Sequence, residues 1–202
     1  MKKTITILLA LIMLLSLAAC GGTAADSTVS TTASAGETNS GTMEVTDLKG
    51  RTVTLPANIE RVVVTFNLEE YLAVTGEAGV DKLVGWSHKY WKGRRDDAYN
   101  AYTKALPAME SIPDVGYNGD ISIEAIISLQ PDVVLASATG ANYNALEPAF
   151  DLLHQAGIEV VFFNFHKQTI ETHQQSIQLI GKVMGQEERA AELARLYEEQ
   201  MN

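Results

Sequence analysis

Residues 114–136 read DVGYNGDISIEAIISLQPDVVLA, and the order of residue types in this stretch decides the fold class. A polar, glycine-bearing loop leads to Ser122, whose short hydroxyl side chain suits the cap position of a helix. Apolar side chains then recur to Leu129. Pro131 halts the helix, because proline has no N–H to donate and its ring crowds the preceding turn. The segment Asp132–Ala136 follows, with Val133, Val134 and Leu135 in unbroken succession. A strand that is apolar at successive positions must be covered on both faces, which is the situation in a parallel sheet layered between helices.

The same rhythm extends outward in both directions. Toward the N-terminus, Arg61–Phe66 is followed by an amphipathic stretch over 68–76, Leu83–Trp86 by one over 96–106, and Val115 with its flanks by one over 122–130. Toward the C-terminus, Asp132–Ala136 precedes a helix over 143–156, and Ile158–Phe163 precedes one over 169–184. Gly157 stands where a helix usually ends in a left-handed residue. The class is therefore α/β, a mostly parallel sheet flanked by helices. Two segments depart from the repeat. Residues 43–55 (MEVTDLKGRTVTL) alternate around Leu48-Lys49-Gly50 and predict a β-hairpin closed before Pro56. Residues 186–202 predict an amphipathic helix with Ala190, Leu193, Leu196, Tyr197 and Met201 on one stripe.

The N-terminal region is of another kind. Lys2 and Lys3 precede an uncharged apolar run over 4–17, too short for an ordinary membrane span but suited to a secretory signal. Leu17-Ala18-Ala19-Cys20 is similar to a bacterial lipobox, which implies cleavage before Cys20 and a diacylglyceryl group on its thiol. Cys20 is the single cysteine, so no disulfide framework is available to this exported chain. Residues 21–42 are mostly Gly, Ser, Thr and Ala, a composition that cannot bury a core and predicts a flexible tether. The expected organisation is a signal peptide over 1–19, a lipidated cysteine and linker over 20–42, an α/β lobe over 43–167, and helices over 168–202. The expected location is the extracytoplasmic face of the cell membrane, held there by lipid. The net charge is −10, and without Lys2 and Lys3 the balance is 13 basic against 25 acidic residues, or −12. Such an excess of acid argues against a nucleic-acid partner.

Residues 47–86 (DLKGRTVTLPANIERVVVTFNLEEYLAVTGEAGVDKLVGW) and 114–136 together resemble the substrate-binding lipoproteins of ABC importers for ferric siderophores, cobalamin and haem. The most specific part is Ser122–Leu135, and the likeness runs over about 43–202. The resemblance implies a receptor of two α/β lobes joined by one long rigid helix, with ligand held between the lobes and both lobes docking on a membrane permease. On this reading the sequence supplies the first lobe and the start of the connecting helix, and the second lobe is missing from it. The implied partners are the permease and a small iron chelate, the implied state is a monomer, and no resident cofactor is implied.

In an open α/β sheet, ligands meet the loops at the carboxyl ends of the strands. Those loops are 65–67, 86–95, 117–118, 137–140 and 164–166. Residues 86–95 (WSHKYWKGRR) set Trp86, Tyr90 and Trp91 beside Lys89, Lys92, Arg94 and Arg95 in a chain that is acidic elsewhere. Cations near aromatic faces favour an anionic, partly aromatic chelate. The candidate ligand-binding residues are Asn67, Trp86, Tyr90, Arg94 and Tyr117, with an ordinary solvated turn carrying two core tryptophans as the alternative reading of 86–95. Tyr117 stands where the family often presents an aromatic side chain, with simple loop packing as the plainer reading. Asn67 is read either as a ligand contact or as the cap of the 68–76 helix, the cap being the better single explanation. Glu124 falls in the first turn after Ser122, where an acid is favoured by the helix dipole. The resemblance implies in addition that Glu124 pairs with permease arginines.

No HxH or HxxxH pair occurs among His88, His154, His166 and His173, and His154 and His173 are expected to face away from the strand-end loops. A bare-metal receptor is therefore disfavoured, while haem ligation by Tyr117 or His88 stays open. The sequence carries no Gly-rich phosphate loop and no nucleophile elbow. A chelatase-like enzyme is thus the weaker alternative, beside that of a non-transporting remnant or partner-dependent lobe. Because only the thiol can accept the diacylglyceryl group, metabolic fatty-acid labelling should mark the wild-type chain and spare Cys20→Ser. Equal label in both would dismiss the anchor.

Overall fold

The computed structural model describes residues 41–166 and 169–201. The chain enters as a hairpin of β1 (Thr42–Thr46) and β2 (Thr52–Pro56), paired antiparallel with Thr46 opposite Thr52. The buried Asp47 carboxylate closes its turn, accepting from the backbone N–H groups of Lys49 and Arg51 and from the Arg51 guanidinium. The same guanidinium donates to the Val160 carbonyl, and the Leu48 N–H donates to that of Phe162, which fastens the hairpin to the last strand of the main sheet.

That sheet has four strands, β3 (Val62–Val64), β4 (Leu83–Trp86), β5 (Val133–Ser137) and β6 (Glu159–Phe163), in the order β4-β3-β5-β6 and parallel throughout. Side chains alternate between its faces, and both faces are apolar. Val62, Val64, Val133, Leu135, Val161 and Phe163 enter one core, while Val63, Val134, Ala136, Val160 and Phe162 enter the other. The uninterrupted valine runs are thus two interleaved sets of core residues.

Helices cover the two faces. The first core is closed by α1 (Leu68–Thr75), α2 (Ala78–Lys82), α3 (His88–Arg94), α4 (Asp96–Ala105), α8 (Ile170–Met184) and α9 (Glu187–Met201), and the second by α5 (Ile123–Leu129), α6 (Gly140–Leu146) and α7 (Phe150–Gln155). Ser122 accepts from the Ala125 N–H at 3.2 Å as the cap of α5, and Gly157 follows α7 at φ 76°. The α/β class with a parallel sheet is what the structure shows.

Several local readings are revised. The stretch 86–95, read as a loop, contains α3. The single helix over 143–156 is interrupted at Pro148, whose missing N–H leaves a 3-10 turn over Glu147–Ala149 between α6 and α7. Val115 does not continue a strand. A lone parallel bridge joins Trp86 to Asp114, because Pro113 has no donor and Gly116 turns away at φ 79°.

The helix predicted over 186–202 is α9, which folds back on α8. Ala190 and Ala194 are buried against α8, whereas Leu196 and Met201 farther along the stripe are 38% and 56% exposed. No helix among the described residues is long and apolar enough to cross a membrane. Cys20 and the segment around it lie outside the described residues.

The approach of α8 to α9 is set by one residue. A Cβ added at Gly181 would lie 2.3 Å from the Ala190 Cβ, well inside van der Waals contact. Alanine improves helix propensity by about 1 kcal/mol, but forcing two packed helices apart costs about 1–3 kcal/mol. Gly181→Ala should therefore destabilise the protein in urea denaturation, and adding Ala190→Gly should recover most of the loss. A stabilised single variant would contradict this packing.

Candidate functional site

All four parallel strands deliver their carboxyl ends to one edge, so the segments after β3, β4, β5 and β6 converge there. The convergence is held by buried polar groups. Thr65, Ser87, Ser137 and Asn142 are each at most 2% exposed. The Asn142 side chain accepts from the Ser137 N–H at 2.9 Å, and its amide donates to the Thr65 carbonyl at 3.4 Å. The Ser87 hydroxyl lies 3.0 Å from the same carbonyl.

Above this layer three rings are stacked. Tyr90 and Tyr117 have centroids 3.5 Å apart at 13°, and Phe66 lies 5.7 Å from Tyr117 at 16°. These rings come from the segments after β3 and β4 and from the loop after Gly116, so residues far apart in sequence form one aromatic stack. Burial and the neighbouring Tyr90 hydroxyl both hold the Tyr117 phenol above the ordinary tyrosine range. Tyr117 is therefore un-ionised at neutral pH, able to donate a hydrogen bond. Beside the rings is an open cavity of about 800 Å³ lined by Lys89, Tyr90, Arg94, Asp114, Tyr117 and Asp120 among others.

The sequence-derived candidates fall into four groups. Tyr90, Arg94 and Tyr117 come together at this cavity. Trp86 does not. It is fully buried in the core, its indole N–H donating to the Met109 carbonyl at 3.2 Å and its ring stacked on Tyr99, so it cannot line an open wall. Its position as the last residue of β4 directs it into the first core. Asn67 occupies the cap position of α1 but makes no side-chain cap bond. Its left-handed backbone, φ 58° and ψ 54°, denies the side chain the extended geometry that capping needs. Its Oδ1 is left buried without a partner at the end of β3. Glu124 is exposed in the first turn of α5, and no ion pair engages it among the described residues.

The basic cluster is dispersed. Lys92 lies over Tyr99, and Arg95 lies over Trp91 with Glu69 at 3.9 Å. Lys89 faces the Asp114 carboxylate at 3.6 Å, which partly cancels its charge. Arg94 is the cation at the cavity without an ion-pair partner among the described residues.

His173 departs from its expected place. It packs against Phe165 of a strand-end loop and stacks on Tyr197 at 4.3 Å, and burial lowers its pKa below the usual imidazole value. Phe66, Ser87 and Asn142 join the site only in the folded structure. A lone Phe, Ser or Asn after an apolar run carries no periodic signal, and their roles arise only where strands meet. Among the described residues, no three His, Cys, Asp or Glu side chains come close enough together to hold a metal ion.

Comparison with known proteins agrees with this fold. A family model described as periplasmic binding protein matches residues 65–202. An uncharacterised ABC transporter substrate-binding lipoprotein of Bacillus subtilis (strain 168), YvrC, is 32% identical over 96 residues, covering 48% of this chain and 28% of that protein. The TroA-like periplasmic binding protein FepB from Veillonella parvula superposes with a TM-score of 0.68 at 30% identity, over 77% of this chain and 46% of that one. The molybdate periplasmic binding protein MolA of Haemophilus influenzae, solved with molybdate bound, shares the fold at a TM-score of 0.60 and 22% identity, over 76% of this chain and 49% of that one. The chain thus spans 28% of the curated relative and about half of each solved one.

Proposed function

Because the chain belongs to the periplasmic binding protein family, we propose that it is an extracytoplasmic solute-binding component of an ABC importer, contributing one ligand-binding lobe. Its ligand is an iron chelate with a planar aromatic portion, a ferric siderophore or a related complex, which it passes to a membrane permease. The observation that carries this reading is the Phe66–Tyr117–Tyr90 stack at the carboxyl ends of a parallel sheet. Aromatic faces bind flat organic ligands by stacking, Arg94 supplies a cation for an anionic chelate, and an opening of about 800 Å³ is far larger than a bare ion needs. Asn67, next to Phe66 in the segment after β3, is assigned to the same ligand as a side-chain contact. Catalysis plays no part in this function. The protein works as a monomer, with lipid on Cys20 keeping it near the permease.

The residues described here form one open wall, which excludes little water and offers part of the contacts a closed site would make. Its affinity for a chelate should therefore lie near the millimolar range, about −4 kcal/mol. Calorimetric titration with a ferric catecholate complex, its iron-free catecholate and molybdate checks this. The ferric complex should bind best, and Tyr117→Ala should weaken it about three- to tenfold, the range of a lost aromatic contact. Tighter binding of molybdate than of the chelate would favour an oxyanion receptor and overturn the iron reading.

Docking is assigned to Glu124. It is an exposed carboxylate held by the first turn of α5, a rigid mount for pairing with a basic permease surface. Glu124→Arg should leave the circular dichroism of the fold unchanged and weaken association with the reconstituted cognate permease about tenfold. Unchanged association would remove Glu124 from the interface.

A further inference from the structure

Ser87 stands between β4 and α3 and is 2% exposed. A serine directly before a helix normally turns its hydroxyl to the free N–H groups of the first turn, yet Ser87 makes no such bond to α3. Its Oγ points inward and lies within hydrogen-bond distance of two backbone carbonyls, those of Thr65 and Gly116. Each of these carbonyls immediately precedes a ring of the stack: Thr65 precedes Phe66, and Gly116 precedes Tyr117. Ser87 itself is three residues before Tyr90, whose ring completes the stack. One hydroxyl proton, shared between two carbonyls, therefore joins the three backbone segments that carry the three rings.

Other bonds hold these segments in pairs, with the Thr65 N–H donating to the Leu135 carbonyl at 3.0 Å, the Val115 N–H to the Trp86 carbonyl at 3.2 Å and the Lys89 N–H to the Asp114 carboxylate at 2.9 Å. Gly116 adopts φ 79°, and a Cβ there would lie 2.0 Å from the Asp120 carbonyl oxygen, so the turn that presents Tyr117 is tight but has no side chain of its own to pack. Thr65 receives a second, longer bond from the Asn142 amide at 3.4 Å. The Ser87 hydroxyl is the group common to all three segments.

We propose that Ser87 is the positioning residue of the aromatic wall, its hydroxyl setting the spacing and tilt of Phe66, Tyr117 and Tyr90 and so the fit of the wall to a planar ligand. The consequence for ligand rests on the function proposed above, while the consequence for the rings does not. A buried carbonyl that loses its donor seeks another partner, so without the hydroxyl the Gly116 turn moves and the close Tyr90–Tyr117 contact opens.

The test uses Ser87→Cys, whose side chain is somewhat larger and donates weakly, with Ser87→Thr as the variant that is also larger but keeps the hydroxyl. Ser87→Cys should retain the far-ultraviolet circular dichroism and cooperative unfolding of the wild type. Its tyrosine band in the near ultraviolet should diminish, and the ionisation of Tyr117, isolated as the difference from a Tyr117→Phe titration, should move to lower pH as the stack opens to water. Ser87→Thr should restore both signals. A folded Ser87→Cys protein with an unaltered tyrosine band and an unaltered alkaline titration overturns the proposal. Should the cysteine variant not fold, the wild-type chain decides the matter by proton NMR. A slowly exchanging Ser87 hydroxyl with cross-peaks to the Thr65–Phe66 and Gly116–Tyr117 segments supports it, and a hydroxyl in fast exchange with water overturns it. Titration of the folded variant with the ferric catecholate complex then separates the two claims. Binding weakened about three- to tenfold supports both. An altered tyrosine band with unchanged binding upholds Ser87 as the positioning residue of the rings and overturns the reading of the rings as the ligand wall.

Discussion

The central strands have no polar face, and the remainder of the structure answers to that constraint. Val62–Val64 and Val133–Ser137 are buried at every position, so water is excluded from both sides of the sheet and helices must supply the cover. A parallel arrangement meets this need because each crossover returns a helix to one face or the other. The chain buries roughly 1.5–3 kcal/mol of transfer free energy with each fully enclosed valine, leucine or phenylalanine, and these strands place such residues on both faces in turn. The antiparallel hairpin is fastened at the edge of this arrangement by the Arg51 and Leu48 bonds to β6.

The site follows from the same constraint. Parallel strands end together, and the last backbone groups of each must find partners where the apolar cover stops. Here Thr65, Ser87, Ser137 and Asn142 provide them from inside. Because their bonds run between strands, the loops they hold are placed relative to one another as well as to their own strands. That common placement lets Tyr90 and Tyr117 stack at 3.5 Å although they come from different connections. The aromatic face is thus a product of the buried polar layer beneath it.

Charge is distributed by the helical geometry of α3. The basic residues of 86–95 lie close in sequence, but a helix turns successive side chains by about 100°, and the cluster divides. Lys92 and Arg95 turn toward Tyr99 and Trp91 on the outer side, whereas Lys89 and Arg94 face the cavity. Asp114 lies against Lys89, so the local field at the cavity is weaker than the run of cations in the sequence suggests. The acidic partner comes from a segment that meets β4 through a single bridge, a pairing with no counterpart in the local sequence.

The sequence by itself determined the α/β class, the alternation of apolar strands with helices, the cap at Ser122, and the positions of Tyr90 and Tyr117 near the edge where the strands end. Each of these rests on periodicity, on proline and glycine chemistry, or on the rule that strand ends in an open sheet carry the site. Only the tertiary structure chose the core over the wall for Trp86, left the Asn67 carbonyl unpartnered instead of capping α1, brought Phe66 to the stack, and linked three segments through Ser87. Those outcomes depend on which face a strand's last residue takes, on a single left-handed backbone conformation, and on hydrogen bonds between residues more than twenty positions apart. Local pattern is set by neighbours along the chain, and these contacts are made between neighbours in space.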